Sequence, residues 1–178
     1  IKLFGGREKF AERLDMLFKF PERIEGQGEL GDVTGLIGQY AHGNEPSHHV
    51  AYFYHYAGRP RRTAEIVREV FDRFYLNKPD GLCGNDDCGQ MSAWYIFSAM
   101  GFYPFNPCGG EYVLGAPQLP EVTLRLPGGR KFAIMAKNLS EKNKYVKSVC
   151  LNGKKLDGFK ITHEEIMAGG TLEFEMED

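Results

Sequence analysis

Two short segments of the sequence concentrate the side chains that could do chemistry. One is Asn85-Asp86-Asp87-Cys88-Gly89-Gln90, entered through Gly84; the other is His42-Gly43-Asn44-Glu45-Pro46-Ser47-His48-His49. Each sets carboxylates and amides in a glycine-flanked loop just ahead of an expected helix, a common place for a site on a helical scaffold. A carboxylate at a helix N-terminus is held in its charged form by the macrodipole and the free N–H groups. The lowered pKa predicted there suits a general base or a nucleophile and suits a general acid poorly. Asp87 is therefore a candidate base. It is equally a candidate helix cap, because Asp is among the preferred capping residues.

In the second segment Glu45 precedes Pro46, which keeps it out of the α region. A polar site for sugar hydroxyls or for a hard cation is one reading, since Asn and Glu oxygens suit calcium better than zinc. An ordinary helix-entry turn with solvated histidines is the other. Adjacent His48 and His49 lack the His-x-x-x-His spacing of a helical zinc site. Asp80-Gly81 followed by Asn85-Asp86-Asp87 does not follow the EF-hand pattern. Trp94 and the Tyr52, Phe53, Tyr54 cluster could form a sugar platform or fill a core. His55 and His163 read as packing residues.

The elements that must carry these loops are legible from periodicity. Phe10, Leu14, Leu17 and Phe18 give one apolar face to a helix over 8–19. Residues 21–35 are rich in glycine and charge and read as a loop. A helix is expected from Ser47, as N-cap, to Ala57, with Gly58 as its stop. Another starts at Pro60 with Ala64, Val67, Val70, Phe71 and Phe74 on one face. A fourth, over 90–100, is apolar almost all round and so is expected to be buried. Beyond Gly101, prolines and glycines break the pattern. Short strand-like runs then follow at 112–114, 122–126, 132–136, 146–151 and 172–174. Asn152-Gly153 between two of them is a strong hairpin signal. The expectation is an α+β chain: a helical part over 1–105 and an antiparallel β segment over 106–178.

Composition narrows the partners. The formal net charge of -2 is spread in mixed sign over 178 residues, with no basic stripe for nucleic acid. No apolar run is long enough to span a bilayer, so membrane insertion is not expected. Aromatic residues at 13% point to a bulky core or an aromatic-lined cleft. Of the four cysteines, Cys83 and Cys88 could pair, and no zinc-type spacing is present. The chain opens at Ile1 with no signal-like segment and reads as a mature product or a piece of something longer.

The strings from Gly35 to His49 and from Asp80 to Trp94 closely resemble glycoside hydrolase family 92, the calcium-dependent exo-α-mannosidases. The resemblance runs the length of the chain, through Phe102-Tyr103-Pro104 and Gly169-Gly170-Thr171-Leu172. It implies that the helices are the last ones of an (α/α)6 barrel and that the chain returns to β structure at its end. It implies hydrolysis of mannose-containing glycans with inversion, which needs an acid and a base about 6.5–9.5 Å apart. On this resemblance Asp87 is the base, with Asp86 and Asn85 positioning water or sugar. His42, Asn44, Glu45, Gln39 and Trp94 line the mannose site, and Asn44 and Glu45 bind Ca2+. The family's general acid is a Glu in an E-G-N-x-W-Q-Y type motif, which this sequence lacks. The chain is therefore expected to need an N-terminal part of the same protein and to be inactive alone. A non-catalytic carbohydrate-binding or structural module is the alternative, and a trehalase-like (α/α)6 enzyme fits the motifs less well. Family resemblance further implies bacterial export to the periplasm or cell surface.

Overall fold

The computed structural model describes residues 1–22 and 33–178. Most of the loop expected over 21–35 therefore lies outside the described residues. The chain forms two compact units, Ile1–Tyr95 and Ile96–Asp178.

The first unit is mostly helical. Helix α1 (Arg7–Lys19) buries Phe10, Ala11, Leu14 and Phe18, the stripe that its spacing predicts. A two-strand hairpin, β1 (Leu36–Ile37) and β2 (Tyr40–Ala41), follows. The chain then takes two 3-10 turns, Glu45–Ser47 and Val50–Tyr52, before the single-turn helix α2 (Phe53–Tyr56). The continuous helix expected from Ser47 is thus broken into pieces. The reason lies at His48. Its carbonyl accepts from the Trp94 indole N–H at 3.0 Å. Its backbone N–H bonds Glu45 O three residues back, which is 3-10 geometry. Helix α3 (Pro60–Phe74) starts on its proline and buries Ala64, Val67, Val70, Phe71 and Phe74 as expected. Asp15 of α1 ties the region together, accepting from Tyr54 Oη at 2.7 Å and Arg59 Nη1 at 3.3 Å.

Helix α4 (Gln90–Met100) contains the boundary between the units. That boundary falls before the expected division after residue 105, because Met100 and the partly buried Phe97 pack with the sheet core. The helix is not buried on every side. Met91, Trp94, Ala99 and Met100 are buried, whereas Tyr95 and Ile96 are 41% and 56% exposed.

The second unit is a sheet structure. Strands β3 (Phe102–Asn106), β4 (Glu111–Leu114) and, later in the chain, β9 (Lys160–Thr162) form a three-stranded sheet in the order β3-β4-β9. Pro104 was expected to break the pattern, yet it lies within β3 where the register shifts between Tyr103 and Asn106. A missing N–H is tolerated at such an irregularity. The larger sheet holds β5 (Glu121–Arg125), β6 (Lys131–Lys137), β7 (Tyr145–Leu151), β8 (Lys154–Lys155) and β10 (Gly170–Glu177). Its order is β5-β6-β10-β7-β8. All pairs are antiparallel except β6 with β10, which run parallel. The Asn152-Gly153 turn joins β7 to β8 with both residues at positive φ, 51° and 77°. A six-residue helix, α5 (His163–Ala168), carries a capping box between Thr162 and Glu165. These features make the fold α+β.

Period-two burial along β6 and β10 sends Phe132, Ile134, Leu172, Phe174 and Met176 into one core. Phe174 is fully buried on the central strand, paired on one side with Ala136 and on the other with Val149. Replacing Phe174 by Ala is expected to destabilise this unit by about 3–5 kcal/mol, read by denaturant unfolding.

Candidate active site

The acidic loop reaches α4 through three consecutive residues of positive φ: Asp87 at 49°, Cys88 at 56° and Gly89 at 91°. Glycine takes this conformation freely and Asp tolerates it, but for Cys88 it is strained. The turn serves the helix end. Gln90, Met91 and Ala93 donate their backbone N–H groups to the carbonyls of Asp87, Asp86 and Gly89 at 3.1, 3.2 and 2.8 Å. The fourth N–H, from Ser92, goes to Asp86 Oδ1 at 3.0 Å, and the Ser92 hydroxyl donates to the same oxygen at 2.9 Å. The N–H groups of the first helical residues are therefore matched. Asp86 caps α4 with its side chain. Asn85, Asp86 and Asp87 are all exposed.

The Asn44-Glu45 loop lies directly against this one, and the contact is made where side chains are absent. A Cβ on Gly43 would stand 1.9 Å from Thr34 Oγ1. A Cβ on Gly84 would stand 2.9 Å from the same oxygen and 3.8 Å from the Gly43 Cα. Glycine at both positions lets the two loops pack on the Thr34 side chain. The Thr34 hydroxyl is buried there, with the Cys83 thiol as its neighbour. Asn44 is half-buried, and Glu45 is exposed at the start of its 3-10 turn.

Beneath the loops are two buried histidines. His42 Nδ1 lies 2.7 Å from Tyr40 Oη, and its Nε2 lies 2.8 Å from Tyr75 Oη. Tyr75 spends its hydroxyl proton on Met91 O at 2.9 Å. It must therefore accept from Nε2–H, which leaves Nδ1 to accept from Tyr40. His48 Nε2 donates to the carbonyl of His42 at 2.9 Å, so its Nδ1 accepts from the Gln90 amide at 3.0 Å. Both rings are neutral and locked in one tautomer. Burial pushes the His42 pKa down to about 3, reinforced by the neighbouring His48. Burial also lowers His48, against a hydrogen bond to the His42 carbonyl and the nearby Glu45 charge, which raise it.

The structure brings Asn85, Asp86, Asp87, Asn44 and Glu45 into adjacent loops, while three expected sugar contacts serve as scaffold. His42 and Trp94 are fully buried, and Trp94 stacks parallel to Tyr75 with ring centres 5.9 Å apart. An enclosed ring offers no face to a sugar. Gln39 is exposed, but its backbone N–H donates to Leu17 O at 2.8 Å and its amide to Pro21 O at 2.7 Å, both at the end of α1. His48, read from sequence as solvated, is 1% exposed. Thr34, Tyr40 and Tyr75 carry the site without any motif that marks them. All four cysteines, Cys83 and Cys88 included, are free. Among the described residues no group of three His, Cys, Asp or Glu side chains could hold a metal.

The comparisons bear on what such a pair of loops does. The model of the glycosyl hydrolase family 92 catalytic domain matches residues 1–178. This chain belongs to that family. A family GH92 α-mannosidase from Bacteroides thetaiotaomicron, solved in complex with mannoimidazole, is 45% identical, with a TM-score of 0.89 over 97% of this chain and 22% of its own. A family GH92 inverting mannosidase from Bacteroides thetaiotaomicron VPI-5482 is 38% identical, with a TM-score of 0.82 over 99% of this chain and 25% of its own. An uncharacterized secreted glycosidase from Arthroderma benhamiae is 33% identical over 97% of this chain and 20% of its own length. The family 92 chain thus spans about a fifth to a quarter of these relatives. No described helix is long and apolar enough to cross a membrane.

Neutral buried histidines set a pH limit on this family 92 unit. His42, His48 and His55 all hold a proton more weakly folded than unfolded, and His55 is lowered to about 4 by burial. Below pH 6.5 the unfolded chain takes up protons that the folded chain refuses. Stability is then full above about 6.5 and falls as the pH drops towards 3. Thermal unfolding at steps of pH checks this, with the melting temperature expected to fall across that window.

Proposed function

We propose that this chain supplies the base side of the active site of an exo-acting α-mannosidase, which removes terminal mannose from mannose-containing glycans with inversion. Family membership and the two mannosidase relatives support the reaction class. The observation that carries the residue assignment is the division of labour in the acidic loop. Asp86 closes the helix end with its side chain, and the adjacent Asp87 is exposed on a left-handed backbone. Strained backbone of this kind collects at functional sites.

In the proposed reaction Asp87 takes a proton from a water as that water attacks the anomeric carbon. The bond from that carbon to the leaving oxygen breaks on the opposite face, and a carboxylic acid protonates that oxygen. The acid comes from the part of the protein that this chain does not span, so the 178-residue chain alone is proposed to be inactive. Asn85 contacts water or sugar beside the base.

Asn44 and Glu45 fit calcium in donor chemistry, since both offer hard oxygens at one accessible turn. They are two of the six to eight oxygens that calcium takes, and the others come from water, sugar or the rest of the protein. Bound there, the ion would hold sugar hydroxyls and favour a distorted ring. Placement outside the cell, in the periplasm or at the surface, accords with the secreted relative.

Asp87→Asn in the full-length protein is expected to lower kcat about 10²- to 10⁴-fold, with little change in melting temperature. Asp86→Ala should instead lower the melting temperature, at a cost of about 1 kcal/mol. Chelation should remove activity, and added calcium should restore it. Wild-type kcat in Asp87→Asn would refute the base assignment.

A further inference from the structure

The two loops meet at a contact that fixes their distance but not their register. At the glycine seam Gly43 and Gly84 both abut the Thr34 side chain, and the Gly43 N–H donates to the Thr34 carbonyl at 3.0 Å, a bond that does not involve the Asp87 loop. Register needs a directional tie. His48 provides one from each end of its residue. Its carbonyl accepts from Trp94 on α4, and its Nδ1 accepts from Gln90, the first residue of the same helix. The opposite ring nitrogen donates to the His42 carbonyl, at the head of the Asn44-Glu45 loop. Gln90 follows Asp87 by one turn, and its backbone N–H bonds the Asp87 carbonyl at 3.1 Å. A continuous path therefore runs from His42 O through the His48 ring and the Gln90 side chain to the Asp87 backbone.

We propose that His48 and Gln90 are positioning residues: a hydrogen-bonded clip that sets the Asp87 loop in register with the Asn44-Glu45 loop. Neither touches the reacting atoms in this account. The inference rests on the reading of Asp87 as base for its effect on rate, but not for its effect on the loops. Three features favour a clip over simple packing. The His48 ring is enclosed. Its tautomer is fixed from the other side by a backbone carbonyl, so Nδ1 can only accept. The bond also joins residues 42 positions apart, one from each loop segment.

His48 is buried against His42 and Trp94, so its removal also threatens folding. Gln90 is half-buried at the helix start and decides the matter. Two variants of the full-length protein are compared, Gln90→Ala and the similar-sized Gln90→Met, which keeps bulk but cannot donate. Both are expected to lower kcat about tenfold or more, as small misplacements of a reacting group do. Both should speed amide hydrogen exchange at 84–89 and 42–49, while the sheet unit exchanges as before and the melting temperature holds. A packing role predicts instead that Gln90→Met behaves as wild type. Unchanged exchange at both loops in both variants would overturn the clip, whatever Asp87→Asn does. Altered exchange with unchanged kcat would overturn its role in the reaction and leave the base reading standing.

Discussion

Two loops can both close on the Thr34 side chain only if neither crowds it with a Cβ of its own. Gly43 and Gly84 satisfy that constraint against Thr34, and everything polar in the site is arranged around it. One methyl group at Gly43 would sit inside the Thr34 hydroxyl. The seam buries Thr34 Oγ1 beside the Cys83 thiol. An enclosed aromatic and imidazole layer lies below, while Glu45 and residues 85–88 of the loops above it are exposed.

That layer explains why the histidines are neutral. A cationic ring at His42 would have to donate from both nitrogens, yet the Tyr40 hydroxyl at Nδ1 and the Tyr75 hydroxyl at Nε2 are already arranged as donor and acceptor. The second ring repeats the arrangement between Gln90 and the His42 carbonyl. Burial and hydrogen bonding thus agree on one protonation state, and the fold depends on it.

Much of this was legible in the sequence where the signal was local. The α1 and α3 stripes, the Pro60 helix start, the Asn152-Gly153 hairpin and the two polar loops follow from spacing alone. The resemblance to family 92 named the loops as one site. What failed was decided by contacts distant in sequence. The helix expected from Ser47 is cut because the His48 carbonyl is claimed by Trp94. Trp94 and His42 sit inside the unit, not on its surface, because Tyr40, Tyr75 and Phe71 enclose them. That Asp86 is the residue whose side chain caps α4 depends on a turn of three positive-φ residues, of which only Gly89 announces itself by type. The parallel pairing of β6 with β10 has no local signature at all.

The central claim is that a carboxylate in the 84–89 loop activates water against the sugar. The most direct measurement is proton NMR of the first product formed by the full-length protein from an α-mannoside, recorded before the anomers equilibrate. The account predicts β-mannose appearing first, with α-mannose growing in only by mutarotation. Initial formation of α-mannose would mean a covalent glycosyl-enzyme and would contradict it.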